Sequence, residues 1–252
     1  MKSNNVNKDL SGNNNFFPIY RLFPNIITIT ALCCGMSAIR FSMSSKWENA
    51  VIFIIIAAFL DGIDGKLARL LKASSSFGAQ LDSLADFLSF GIAPALVSYL
   101  WYMQNTPAKA IGWAVSLIYT ICCAVRLARF NTIMDDIDKP SWTDKFFVGV
   151  PSPVAACLAL IPMMINFQYN ITFPAILFIS YILLIGLLMA SRVPTFYVKR
   201  ISIKQGLTSI ALVFAGLIIV SLIIEPWITL PIMGLFYIIS IPVSIYKFKK
   251  EV

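Results

Sequence analysis

The chain has 252 residues, 58% of them hydrophobic and 13% charged, with a mean hydropathy of +0.80. That composition excludes a water-soluble globule and places the chain among integral membrane proteins. The net charge of +8 is spread between apolar segments rather than gathered on one polar domain, so it points to membrane topology and anionic lipid contacts and away from nucleic acid.

In chain order, residues 1–15 are polar and Asn-rich and lack the apolar core and cleavage site of a signal peptide, which predicts a short flexible tail. The run FFPIYRLF over 16–23 predicts an interfacial helix, and Pro24 suits a helical first turn, where a missing N–H costs nothing. A hydrocarbon-crossing helix needs about 20 residues. Eight segments qualify: 24–41, 48–69, 79–103, 110–130, 150–167, 173–190, 207–224 and 227–246. The fold expected is therefore an all-α, polytopic membrane helical bundle. No linker is rich enough in Gly or Ser to separate two globular units.

Of the 20 Lys and Arg residues, only Arg40, Lys46 and Lys109 fall on one side of this arrangement. The positive-inside rule then puts both termini, and the connection between the second and third spans, in the cytoplasm. Cys33, Cys34, Cys122, Cys123 and Cys157 all lie inside apolar runs without CxxC spacing, so neither a zinc site nor a disulfide framework is indicated. From Leu207 to Tyr246 the only charged residue is Glu225, which reads as scaffold or dimer surface.

The chemistry concentrates between Leu60 and Gly91, LDGIDGKLARLLKASSSFGAQLDSLADFLSFG, which holds four of the twelve acidic residues. A carboxylate within a bilayer costs roughly 2.5–3.5 kcal/mol on insertion scales. Four together call for a compensating cation. Asp61 and Asp64 are three apart, and Asp82 and Asp86 four apart, so each pair shares a helix face. The serine run Ser74-Ser75-Ser76 is a natural turn between them, so the two faces oppose each other in a hairpin. Hard oxygen ligands select Mg²⁺, Mn²⁺ or Ca²⁺, and two ions would match a two-metal phosphoryl-transfer site. Gly65 and Gly78 leave room for a phosphate or base, and Arg69 offers charge-assisted bonds to phosphate. The sequence has no histidine, so a carboxylate must serve as general base; Asp86 is the choice. A transported cation bound by the same carboxylates is the competing class, although a transporter would be expected to place acids on several helices.

The pattern Asp61-x2-Asp64-Gly65-x2-Ala68-Arg69-x8-Gly78-x3-Asp82-x3-Asp86 resembles the signature of the CDP-alcohol phosphotransferases at all eight positions. The resemblance implies a membrane enzyme with a six-helix core, here with two further C-terminal transmembrane helices. It also implies a homodimer, and transfer of a phosphatidyl group from a CDP-linked donor to an alcohol with release of CMP. The domains would be a tail over 1–15, interfacial helix and core over 16–200, and a helix pair with basic tail over 201–252. By the same resemblance Asp61, Asp64, Asp82 and Asp86 ligate divalent metal, two ions of Mg²⁺ or Mn²⁺, with Asp86 also the proton acceptor. Gly65 and Arg69 would contact the donor. Pro24 to Thr28, PNIIT, resembles the family's first-helix element, so Asn25 and Thr28 are expected donor contacts, as are Ser75 and Gly78.

The acceptor is read from flanking runs. Leu81 to Tyr99, RLARFN (Arg126 to Asn131), VGVPSPVAA (Val148 to Ala156) and SRVPTFYVK (Ser191 to Lys199) are similar to the family's bacterial phosphatidylserine synthase branch. That implies CDP-diacylglycerol and L-serine as substrates, in the cytoplasmic (inner) membrane. Arg126 and Arg129 share a helix face and would meet the serine carboxylate or a phosphate, with Asn131 beside them; as plain membrane-boundary cations they would have no such role. Glycerol-3-phosphate and inositol phosphate are the alternative acceptors.

Overall fold

The computed structural model describes residues 22–71, 73, 75–135, 146–196 and 208–251. The tail expected over 1–15, most of the interfacial segment expected over 16–23, and Lys199 lie outside them. The chain is a polytopic membrane helical bundle.

Helix α1 (Phe23–Met43) carries Pro24 in its first turn, as its missing N–H allows. A tight turn with Ser45 at φ 57° reverses the chain into α2 (Trp47–Leu70). The two helices pack through Ala31, Cys34 and Ala38 on one side and Ala50, Ile54 and Ala57 on the other. Small residues let the backbones approach closely, the usual source of helix association where lipid is as apolar as the side chains. Next come α3 (Ser76–Asp86), a π-helical stretch over Phe87–Ile92, and α4 (Ala93–Trp101), which run on as one rod. Helix α5 (Lys109–Asp135) follows, then α6 (Ser152–Ala159) and α7 (Ile161–Tyr169), joined at Leu160 where Pro162 opens the second helix. The bundle ends with α8 (Ala175–Ala190), α9 (Thr208–Ile224) and α10 (Pro226–Glu251).

Counting the α3–α4 and α6–α7 rods once each, eight rods stand among the described residues, at the eight places where apolar runs predict them. Five of them are both long and apolar enough to cross a membrane: Phe23–Met43, Ser76–Asn105, Lys109–Thr132, Ser152–Tyr169 and Pro226–Tyr246. Helices α8 and α9 are apolar but shorter. Helix α2 has the length, yet carries Glu48, Asp61, Asp64, Lys66 and Arg69. Helix α9 exposes Leu212, Phe214 and Ile223 broadly, as a lipid-facing surface does. An apolar cavity of about 430 Å³ opens between α7, α8 and α10, lined by Ile161, Phe173, Phe178, Tyr181, Pro231 and Leu235 among others; among the described residues no aspartate borders it.

The π-helical stretch is satisfied from neighbouring helices. Ser89 Oγ donates to the Ala31 carbonyl at 3.2 Å, Tyr119 Oη to the Phe90 carbonyl at 3.2 Å, and Thr120 Oγ1 to the Gly91 carbonyl at 3.4 Å. Backbone groups displaced from the α pattern inside a membrane need such partners.

One feature departs from the purely helical expectation. Strands β1 (Phe146–Val148) and β2 (Pro194–Phe196) form a short antiparallel ladder with Phe147 opposite Thr195. Three residues a side are too few to show alternation in the sequence. Just after β1, Gly149 has φ +80°, and a Cβ there would lie 2.6 Å from the Met189 carbonyl oxygen and 2.8 Å from that of Ser191. Gly149→Ala should destabilise the protein by about 1–3 kcal/mol, read as a lower melting temperature of the detergent-solubilised protein; an unchanged melting temperature would contradict the close approach.

Candidate active site

Leu67 to Leu70, good helix formers, carry α2 one turn past Asp64, so Asp61 and Asp64 are held on regular helix rather than loop. Across the turn, Ser75 adopts extended backbone (φ −138°, ψ 155°) and its Oγ accepts the Gly78 N–H at 3.0 Å. This is an N-cap, and it starts α3 at the point that brings Asp82 and Asp86 back against α2.

The result is a carboxylate cluster. Asp61, Asp64 and Asp82 each offer an oxygen within 4.8 Å of the others. Asp64 is buried at 4% exposure, whereas Asp61, Asp82 and Asp86 are half-buried. Asp86 stands outside the trio, its carboxyl at hydrogen-bonding range of Asp61. The guanidinium of Arg126, buried on α5, is a cation acting on Asp61 and Asp86. Among the described residues, this one guanidinium against four carboxylates leaves a strong negative excess in a poorly solvated place. All the donors are hard oxygens, so the residues present fit a divalent cation such as Mg²⁺ or Mn²⁺.

Three of the expected donor contacts come together at the start of α3. A Cβ on Gly78 would lie 3.0 Å from Asn25 Oδ1 and 3.1 Å from Ser75 Oγ, so glycine is what admits the Asn25 side chain from α1. Gly65 is exposed, with open space where a Cβ would be, and Arg69 Nε donates to the Gly65 carbonyl at 3.0 Å. Arg69 thus folds along its own helix and presents its charge over Gly65. Thr28 stands apart from these: it is 4% exposed, and its Oγ1 lies 2.6 Å from Asp64 Oδ2 and 3.1 Å from the Pro24 carbonyl oxygen.

The expected acceptor contacts divide. Arg126 is 8% exposed; its Nη1 donates to Ser152 Oγ at the first turn of α6, and its Nε is buried without a hydrogen-bond partner among the described residues. Arg129 spends both terminal nitrogens on α8, donating to the carbonyls of Ala190 at 2.9 Å and Ser191 at 3.0 Å. Cations at a helix C-terminus satisfy its orphan carbonyls. Asn131 Nδ2 donates to Ser83 Oγ at 2.9 Å, while the Ser83 hydroxyl can donate onward to the Ala79 carbonyl at 3.0 Å. Of the three, Arg126 faces the aspartates.

Ser152 and Ser83 were not singled out by the sequence. For Ser152 a signal existed: Pro151-Ser152-Pro153 marks a helix start, and its serine sits where α5's buried arginine must find a partner. For Ser83, one of many serines at a helix surface, there was none.

The family model described as CDP-alcohol phosphatidyltransferase matches residues 21–190, and a second, CDP-alcohol phosphatidyltransferase 2, matches 207–242. Among curated relatives, the CDP-diacylglycerol–serine O-phosphatidyltransferase of Mycobacterium leprae is 32% identical over 229 residues, covering 90% of this chain and 75% of the relative. The protein of the same name from Helicobacter pylori strain 26695 is 37% identical over 207 residues, covering 81% and 83%. That from Bacillus subtilis is 37% identical over 148 residues, covering 58% and 76%.

Proposed function

The chain belongs to the CDP-alcohol phosphatidyltransferase family, and from that premise we propose that it transfers the phosphatidyl group of CDP-diacylglycerol to the hydroxyl of L-serine. The products are phosphatidylserine and CMP. The observation that carries the chemistry is the trio of Asp61, Asp64 and Asp82 oxygens within 4.8 Å of one another, with Asp86 beside it. The names of the relatives from M. leprae and H. pylori support serine as acceptor.

Asp61, Asp64 and Asp82, with Asp86 as a fourth ligand, would hold two ions of Mg²⁺ or Mn²⁺, whose positive charge neutralises the donor diphosphate. The remaining work falls to the chain's own groups. Asn25, Gly65, Arg69 and Gly78 line the donor's path, and Ser75 holds the Gly78 backbone in place. Asp86 takes the proton as the serine hydroxyl oxygen bonds to the lipid-linked phosphorus and the bond from that phosphorus to the CMP oxygen breaks. Arg126, with its unpartnered Nε, receives the serine carboxylate. Arg129 and Asn131 keep α8 and α3 in position around it.

The positive-inside bias supports an inner-membrane protein with both termini and the site on the cytoplasmic side. We place the core over 16–200 and a supporting helix pair over 201–252, and infer a homodimer from family membership. Purified protein in liposomes, given CDP-diacylglycerol and Mg²⁺ or Mn²⁺, should release CMP with L-serine and not with glycerol-3-phosphate or inositol phosphate. Release with glycerol-3-phosphate alone would move the acceptor and leave the family standing.

A further inference from the structure

Resting on the metal reading above, we infer that Thr28 is a positioning residue for the metal site: its hydroxyl holds Asp64 in the conformation in which that carboxylate can ligate. The expectation from sequence made Thr28 a donor-lipid contact. Its surroundings argue for a different task. Thr28 on α1 and Asp64 on α2 are each 4% exposed. A threonine hydroxyl has one proton to give. Two acceptors lie in reach, Asp64 Oδ2 at 2.6 Å and the Pro24 carbonyl at 3.1 Å. The shorter contact has the length of a charge-assisted O–H···O⁻ bond, so the proton goes to the carboxylate.

Asp64 differs from its three partners in this respect. Asp61, Asp82 and Asp86 are half-buried, whereas Asp64 is buried and tied across helices to a residue 36 positions away. Groups that hydrogen-bond a metal ligand fix its orientation and spare the cation the cost of ordering it; losing one typically weakens metal affinity about 10–100-fold. Threonine suits the place for a second reason. In a helix the threonine hydroxyl can rest against the carbonyl four residues back, here Pro24 at 3.1 Å, which holds it beside Asp64 before any cation arrives.

The test uses the full-length protein in detergent or nanodiscs, with Mn²⁺ binding followed by electron paramagnetic resonance in the absence of both substrates. Thr28→Val keeps the shape and removes the proton; it should weaken Mn²⁺ binding about 10–100-fold, and Thr28→Ser should bind close to wild type. If Thr28→Val is not recovered folded, Thr28→Cys keeps the size with a weaker donor and should fall between them. Wild-type protein with no Mn²⁺ site that Asp64→Asn removes would defeat the metal reading itself. Mn²⁺ binding lost in Asp64→Asn but unchanged in Thr28→Val, or in Thr28→Cys if that is the variant recovered, would overturn this inference alone. So would a variant that raises the KM for CDP-diacylglycerol while Mn²⁺ binds normally, since that is what a direct donor contact predicts.

Discussion

Asparagine in place of Asp86 is expected to lower CMP release by about 10²–10⁴-fold, the usual contribution of a positioned general base. The exchange is nearly isosteric. Asp86 is half-buried and meets Asp61, and an amide there can still hydrogen-bond, so the α3 helix and its π-helical continuation should persist. What the amide lacks is a basic oxygen to take the serine proton. Size-exclusion elution and helical circular dichroism should match wild type while turnover collapses; an Asp86→Asn enzyme turning over at the wild-type rate would sink the assignment. A neutral residue at 86 relieves repulsion with Asp61 and Asp82 but gives up attraction to Arg126, so the elution and circular dichroism controls decide whether lost turnover reflects unfolding.

Removing divalent cations should have the second large effect. EDTA is expected to bring turnover to the assay background, and excess Mg²⁺ or Mn²⁺ to restore it. Three carboxylate oxygens within 4.8 Å, with Arg126 the buried cation beside them, repel one another unless a cation joins them. The same electrostatics predicts that chelation lowers the melting temperature of the wild-type protein in detergent, because the cluster is left with its repulsion uncompensated. Turnover undiminished by EDTA would contradict the metal reading.

Much of this architecture could be read from residue order, and the reasons are local. A helix places residues three and four apart on one face, so the Asp61/Asp64 and Asp82/Asp86 pairs were legible as faces before any fold was known. Apolar run length set the eight rods. Contacts between helices distant in sequence were not legible, because no spacing encodes them. Thr28 meets Asp64, Arg126 meets Ser152 and Asn131 meets Ser83 only through packing. Arg126 and Arg129 share a face, yet one turns toward the aspartates and the other closes α8; the sequence pattern treats them alike. The run FLSFGI over Phe87–Ile92 is equally silent, since its apolar pattern fits an ordinary helix as well as the wider π-helical turn it forms.

That wider turn also determines which changes in chain length the site can survive. Between Asp86 and Ala93 the helix holds more residues per turn than an α-helix would, and each residue of an α-helix turns the chain by about 100°. Deleting a single residue there would let the rod relax to ordinary α geometry, but everything beyond would rotate against everything before. Ser89 would leave the Ala31 carbonyl, or, with that contact kept, Asp82 and Asp86 would swing away from α2. Apolar exchanges along Phe87–Ile92 alter packing by degrees, whereas a shift in residue count costs either that anchor or the carboxylate cluster without touching any of the aspartates. Spacing in this stretch is therefore as much a part of the site as the aspartates themselves.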